Sequence, residues 1–397
     1  MTYRVAIVGA GPSGFYAADG LLRERPDLRI DLIDRLPTPF GLVRAGVAPD
    51  HQGTKAVIRQ FERLLAQPDV RFAGNVEIGR DVSWEELQAD YDVVIVATGM
   101  VLDKKLGVPG EELPHLWGSW RFVGWLNGHP DFRQGPDMTK VKRVAVIGNG
   151  NVALDVARVL AKSADEMARS DIVPEAGAAI AAAPITDINV IGRRGPEQAS
   201  FTNTELAEFG RLARAVPLVD PAVLNVEPPK GDSTPERLRK AKNLEILRGF
   251  ARNKPGSKPV SLQFVFNTPI KAIKPGEFDL VITCIGYTGE PYPKGPGMFA
   301  VGWAKRGPTG TIPTNRGESH AVAREVLAWL KDRDLKSGPD PIPEAVDAAG
   351  WHRIDKAEIA AGAKAGRPRV KLTDWRKLLE VAQGHQGLYP AGGRPGG

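Results

Sequence analysis

Four short, nearly uninterrupted apolar runs recur along the chain, and each ends at a glycine. Residues 5–8 (Val-Ala-Ile-Val) stop at Gly9, and residues 144–147 (Val-Ala-Val-Ile) stop at Gly148. Asp92-Val-Val-Ile-Val-Ala-Thr-Gly99 and Asp279-Leu-Val-Ile-Thr-Cys-Ile-Gly286 have the same form. Unbroken aliphatic runs, unlike alternating ones, predict strands buried on both faces of a parallel sheet. After the first run an alanine-rich, helix-compatible stretch covers 15–24. After the second, a helical pattern reaches about 162. Further strands are predicted at 29–33 and 188–191. The fold class is therefore α/β, with two Rossmann-like dinucleotide-binding domains.

The glycines between strand and helix sharpen this reading. The first loop is Gly9-x-Gly11-x-x-Gly14, and the strand after its helix ends in Asp34. Gly9 allows the tight turn, Gly11 leaves room for a pyrophosphate, and Gly14 lets helix and strand pack closely. The helix N-terminus offers free N–H groups to phosphates. Asp34 is placed to accept hydrogen bonds from ribose hydroxyls. The second loop, Gly148-x-Gly150-x-x-Ala153, has the accepted alanine in third place. Its next strand ends not in an acid but in Gly192-Arg193-Arg194-Gly195. An acid there would repel a 2′-phosphate, whereas a guanidinium fork binds it. The second site is expected to prefer NADP(H).

Composition narrows the class. At 397 residues, 42% hydrophobic and 25% charged, the chain can hold two to three domains. The net charge is +6 but the basic residues are dispersed, so no nucleic-acid partner is expected. No stretch nears the ~18 apolar residues of a membrane span, and the first run is too short for a signal segment. A chain with no membrane association, located in the cytoplasm, is expected. Cys284 is the only cysteine. It can form neither an internal disulfide nor a Cys-based zinc or iron–sulfur site, and no metal site is expected. Electrons handled here must travel on borrowed cofactors.

Several blocks carry a family resemblance. Leu36-Pro-Thr-Pro-Phe-Gly-Leu-Val-Arg-Ala-Gly-Val-Ala-Pro-Asp-His51 follows the first acid. Gly148-Asn-Gly-Asn-Val-Ala-Leu-Asp155, Ile191-Gly-Arg-Arg-Gly-Pro196 and Phe201-Thr-x-x-Glu-Leu206 mark the second unit. Gly302-Trp303-x-Lys-Arg-Gly-Pro-Thr-Gly310-Thr-Ile312 closes the set. Over nearly its whole length the chain resembles the adrenodoxin reductase-like ferredoxin–NADP reductases, including the mycobacterial FprA type.

The resemblance implies a glutathione reductase-like flavoprotein architecture with the NADP domain inserted in the FAD domain. The expected division is 1–106 and 296–397 for FAD, the latter with a C-terminal extension, and 107–295 for NADP. Besides the glycines, Ala10, Ser13, Asp34, Leu42, Val76, Trp303, Gly310, Thr311 and Ile312 resemble FAD contacts. Asn149, Gly150, Asn151, Val152, Arg193, Arg194 and Glu205 resemble NADP(H) contacts. His51, Asp155 and Glu208 resemble ionisable groups near the flavin, with His51 able to supply a proton near neutral pH. On the residues alone, Trp303 can equally be a core aromatic, Asp155 a structural helix residue and Glu208 a solvated charge. The implied reaction is hydride transfer from NADPH to FAD, then single electrons to a ferredoxin-type iron–sulfur protein, with a cytochrome P450 as a further acceptor through it. The basic run Glu236-Arg-Leu-Arg-Lys-Ala-Lys242 is either a dock for that acidic partner or a solvated helix face.

Departures from the family pattern are visible. Asp34 stands where the family usually has Glu, so its ribose contact would be longer or water-bridged. The 258–278 and 286–303 segments look short, and the 332–397 tail, with Trp351-His-Arg-Ile-Asp and Gly366-Arg-Pro-Arg, has no assigned role. Two other readings are an FAD/NADPH-dependent monooxygenase, whose Phe-x-Gly-x-x-x-His fingerprint is not present, and a flavoprotein electron-transfer subunit.

Overall fold

The structure, a computed structural model, describes residues 2–384 except 332, 337, 339–341 and 343. Residues 385–397 of the predicted tail lie outside the described residues. The strands in chain order are β1 (Arg4–Val8), β2 (Arg29–Ile33), β3 (Val70–Ala73), β4 (Val93–Val96), β5 (Leu102–Asp103), β6 (Leu116–Gly118) and β7 (Arg143–Ile147). They continue as β8 (Asp187–Ile191), β9 (Ala215–Val219), β10 (Val260–Val265), β11 (Leu280–Thr283), β12 (Tyr287–Thr288) and β13 (Met298–Ala300).

Two parallel sheets result. The first has the order β13-β4-β1-β2-β3 and the second β6-β11-β7-β8-β10-β9. The four glycine-terminated runs are β1, β4, β7 and β11, the central strands of these sheets, which explains why none alternates. In each sheet the strand order reverses beside the strand that leads into a glycine loop. Ligands in open parallel sheets bind at such switch points, beyond the carboxyl ends of the strands.

β13 returns the chain to the first sheet, pairing with β4 from Met298↔Val94 to Ala300↔Val96. The helix Ile312–Leu330 then packs along the helix Pro12–Glu24. Gly20 permits this approach, since a Cβ there would lie 2.9 Å from the His320 ring. The two segments that pass between the sheets are zipped together by the antiparallel pair β5–β12, Tyr287↔Asp103 and Thr288↔Leu102.

One core gathers Phe15, Phe40, Phe61 and Val326 with Trp351, Ile354 and Leu378. The other runs from Trp117 to Ile282 around Leu154, Leu160 and Phe264. The tail is thus no appendage. Trp351 is buried edge-on against Phe40, with centroids 5.5 Å apart. Burying a side chain of this size stabilises by a few kcal/mol, enough to make the tail part of the first core.

Candidate functional site

The first glycine loop has the strained geometry its motif demands. Gly9 has φ +111°, and a Cβ there would sit 2.4 Å from the Ala97 carbonyl oxygen. Opposite Gly11 stands Gly41, also at positive φ (+43°), and a Cβ on Gly11 would find only the Gly41 Cα, at 3.9 Å. Two glycines facing each other leave a side-chain-free passage. Phe40 holds a positive φ of 81°, rare for an aromatic residue. Its N–H donates to the Ala10 carbonyl at 2.7 Å, and its ring is packed by Phe15, Phe61 and Trp351. Such strain persists where surrounding packing enforces it.

Asp34 lies behind this loop. One carboxylate oxygen accepts the Ala10 N–H at 2.8 Å and the other the Leu36 N–H at 2.9 Å. Burial nevertheless raises its pKa. The short acid therefore ties the loop to the strand end, leaving only its remaining lone pairs for a ribose. Val76 is buried beside Val8 and Ile33, and Leu42 opens the short helix Leu42–Ala45.

The 302–312 motif folds back on the same loop. Gly302 (φ +64°) abuts Ser13, whose Oγ would be 2.0 Å from a Cβ. Ser13 donates to Asn315 Oδ1 at 3.2 Å. Trp303 is half-buried, stacked on Tyr287 at 5.8 Å, and its Nε1 donates to the Thr309 carbonyl at 3.0 Å. Gly310 takes φ +81°, Thr311 caps the helix Ile312–Leu330, and Ile312 packs against the first core. Residues about 300 positions apart thus share one cleft edge.

At the second loop, Gly148 has φ +146° and a Cβ there would lie 2.3 Å from the Cys284 carbonyl. Asn151 Oδ1 accepts the Thr202 N–H at 2.8 Å, while half-buried Val152 follows on the helix Asn151–Ala161. The Asn149 amide covers Gly192, and its Oδ1 is buried with no hydrogen-bond partner. Gly150 has only Ser200 Oγ near its Cβ direction, at 3.4 Å. Arg193 and Arg194 are exposed at the end of β8, with no side-chain ion pair among the described residues.

Residues of the 36–51 block and of the elements after the second loop meet in a knot of charge. His51 Nδ1 is 3.6 Å from Asp155, and its Nε2 is 3.3 Å from Glu205 and 3.5 Å from Glu208. His51 Nε2 and Glu205 Oε2 are both buried without an aligned hydrogen bond. Arg158, with a fully buried side chain, reaches Asp50 (2.8 Å), Asp155 (2.7 Å), Glu208 (3.2 Å) and Glu205 (3.6 Å). Lys162 also binds Asp50, at 2.7 Å. Burial works against the His51 charge, but Glu208, Asp155 and Asp50 outweigh it, so its pKa is raised. Burial raises Asp155 and Glu205, while the His51 contact lowers Glu208. Asp50 is held well below the usual range: burial acts against this, but Arg158 and Lys162 prevail.

His51, Asp155 and Glu208 are therefore brought together, and Glu205, expected as an NADP(H) contact, stands beside them. Asp50, Arg158 and Lys162 belong to the same cluster, and sequence reasoning missed them. The signal was there: Asp155, Arg158 and Lys162 are spaced for one helix face, and Asp50 precedes His51. Among the described residues, Asp50–His51–Glu208 and His51–Asp155–Glu205 are spaced to ligate a cation, but Arg158 already supplies positive charge at this place. The basic run divides: Arg237 and Lys242 are exposed, whereas Arg239 and Lys240 are engaged within the fold. In the helix Thr234–Phe250, Arg239 donates to the Phe201 carbonyl at 2.7 Å, and buried Lys240 pairs with Asp232 at 2.7 Å. Neither is presented for docking, because the buried Asn243 and Leu244 turn that face inward.

Residues 3–185 match the pyridine nucleotide-disulphide oxidoreductase family. The chain is 36% identical to the NADPH-ferredoxin reductase FprA of Mycobacterium tuberculosis, over 96% of its length and 99% of that protein's. The chain belongs to the adrenodoxin reductase-like ferredoxin–NADP reductases. The mitochondrial NADPH:adrenodoxin oxidoreductase of Bos taurus is 33% identical over 96% of the chain and 92% of that protein. The solved structure of M. tuberculosis FprA in complex with NADPH superposes with a TM-score of 0.89 at 35% identity, covering 96% of this chain and all of the other. This reductase-family chain is an α/β oxidoreductase with two Rossmann-type sheets. Its alignment with FprA runs over 456 positions against 397 residues of chain, so the relative carries segments this chain lacks. The family model is named for disulphide chemistry, yet Cys284 has no second cysteine to pair with. No helix among the described residues is long and apolar enough to cross a membrane.

Proposed function

We infer that this protein is an FAD-dependent NADPH–ferredoxin reductase, with FAD at the first glycine loop and NADP(H) at the second. The observation that carries this is the charged seam at which His51, from the block after the first loop, meets Asp155, Glu205 and Glu208 from the elements after the second. The residues present fit both groups. The Gly11–Gly41 passage is a cradle that any side chain would fill. Orphaned Asn149 Oδ1 and the two unpartnered arginines await polar and anionic partners.

The flavin, when bound, accepts a hydride from the nicotinamide and releases electrons singly. The chain's own part is binding, orientation and charge. Gly9, Gly11 and Gly14 give the pyrophosphate the N-terminus of the helix Pro12–Glu24, and Asp34 fixes that loop. By resemblance, Leu42, Val76, Trp303 and Gly310 to Ile312 would hold the flavin. Gly148 to Val152 hold the second pyrophosphate, and Arg193 and Arg194 take the 2′-phosphate. His51 sits between Asp155 and Glu208, which favour its protonated form and raise its pKa against the opposing effect of burial. Glu205 and Asp155, both raised by burial, can share that proton. The units for this chemistry are 1–106 with 296–397, and 107–295.

The electron acceptor is a separate ferredoxin-type iron–sulfur protein, since one cysteine cannot hold a cluster, with a cytochrome P450 as its downstream client. The setting is the cytoplasm. Stopped-flow mixing with NADPH and with NADH, then with a ferredoxin, tests the reading. Rapid flavin bleaching by NADPH alone, followed by ferredoxin reduction, is expected. A protein purified without flavin, or one reduced equally by both nucleotides, refutes it.

A further inference from the structure

Away from the His51 seam, a second dense group of charges lies at the back of the Phe40–Gly41 turn. The helices Gln52–Lys55 and Ile58–Leu65, the C-terminal segment and residue 171 meet there around a cavity of about 260 Å³. Five lining side chains are cations: Arg44, Lys55, Arg59, Arg369 and Lys371. One lining residue, Asp171, is an anion.

The hydrogen bonds show how far these charges are satisfied. Lys55 and Lys371 share the Asp171 carboxylate, at 2.6 and 3.0 Å, and the Asn127 Oδ1, at 2.8 and 3.0 Å. Arg44 is bidentate on buried Glu358, at 2.8 and 2.5 Å. Arg369 spends only Nη1, on Asp355 at 2.7 Å and Glu358 at 3.1 Å. The Arg59 side chain makes no hydrogen bond or ion pair among the described residues. Lys55 and Lys371 thus share one carboxylate, and the guanidinium groups of Arg59 and Arg369 keep N–H donors with no partner, so the lining carries an excess of positive charge. Burial lowers both lysine pKa values, and the neighbouring Arg44 charge lowers them further.

We propose that this cavity binds a small phosphate-type dianion, gripped by the free guanidinium N–H groups of Arg59 and Arg369. A planar guanidinium fork matches phosphate oxygens, and a cationic lining with free N–H donors suits a multiply charged oxyanion. The volume falls below the ~300 Å³ at which drug-sized pockets begin, so a dinucleotide is excluded. Phe40 and Trp351, at 0% and 1% exposure, floor the cavity without a free face for a base to stack on. The occupant is inorganic phosphate or a small phosphate monoester. It would join the first unit, the second unit and the tail, and it gives Trp351 and Arg369, from the two unassigned tail motifs, a shared role.

Isothermal titration with inorganic phosphate, and separately with glycerol 3-phosphate, decides this on the purified full chain. The variants are Arg59→Gln, Arg59→Lys and the Arg193→Ala/Arg194→Ala pair. Arg59 is exposed and unpaired, so its variants should melt with the parent when no anion is present. A saturable site is expected that survives the Arg193/Arg194 pair, weakens at least tenfold in Arg59→Gln and recovers largely in Arg59→Lys. Whichever of the two anions binds more tightly there identifies the source. Loss of all binding in the Arg193/Arg194 pair, or binding in Arg59→Gln equal to the parent, overturns the proposal.

Discussion

Replacing Arg158 with methionine tests whether the charges around His51 act as one unit. The Arg158 side chain is fully buried and touches four carboxylates, Asp50 and Asp155 at 2.8 and 2.7 Å, Glu208 at 3.2 Å and Glu205 at 3.6 Å. Removing one partner of a buried pair destabilises by about 3–5 kcal/mol. Lys162 still neutralises Asp50 at 2.7 Å, so the lower end, about 3 kcal/mol, is expected near pH 7. The sign with pH follows from the shifts. Asp50 and Glu208 are depressed in the folded protein. Their contribution is fully present above the ordinary carboxylate range of about 4 and is lost as pH falls through their folded values. The gap between parent and variant should therefore be wide at pH 7 and shrink below about pH 4. His51 runs oppositely. Its pKa is raised, so its contribution is present below about 6.5 and is lost as pH rises through its folded value. Arg158 itself pulls His51 down, so His51 should titrate higher still in the variant. Urea unfolding at pH 7 and pH 3.5, with an NMR titration of His51, measures all three effects. A loss under about 1 kcal/mol at pH 7, an equal loss at both pH values, or an unmoved His51 would refute the single-unit picture.

Four further outcomes are expected. Arg193→Ala with Arg194→Ala should raise the NADPH Kd by roughly 10- to 150-fold, the equivalent of one charge-assisted contact of about 1.5–3 kcal/mol, with NADH unchanged; equal weakening of both would place the 2′-phosphate elsewhere. His51→Gln should flatten the pH dependence of hydride transfer on the alkaline side, where His51 loses its proton, and an unchanged profile in stopped flow would remove it from the reaction. Gly9→Ala forces a Cβ to 2.4 Å from the Ala97 carbonyl at φ +111°, so the protein should purify without flavin and with a lowered urea midpoint. Arg239→Glu should lower the melting temperature by several degrees, because it breaks the bond to the Phe201 carbonyl; a raised KM for ferredoxin at unaltered stability would restore the docking reading.

The two dinucleotide units were legible because their determinants are local. A strand, its glycine turn and the following helix occupy some twenty consecutive residues, and hydrophobic period and missing side chains write them directly into the chain. The proposed 2′-phosphate preference rests on equally local evidence, Arg193 and Arg194 standing two and three residues past the end of β8. The charged seam was only half legible. Asp155, Arg158 and Lys162 share a helix face, yet nothing local says that this face meets Asp50, 108 positions before Arg158. For the basic helix, composition marked charge but not direction: Arg239 and Lys240 lie on the side that Asn243 and Leu244 turn inward, while Arg237 and Lys242 stay exposed.

By itself the sequence determined the α/β class, the two glycine loops, the arginines after β8 and the need for an outside electron acceptor. Each depends on residue type and short spacing, which survive without knowledge of neighbours. Only the tertiary structure decided that Gly41 faces Gly11, that Arg158 gathers four carboxylates beside His51, that Asp34 grips its own loop, and that the tail completes the first core through Trp351. These depend on contacts between segments remote in the chain. Sheet order and helix packing bring them together, and no local pattern encodes that.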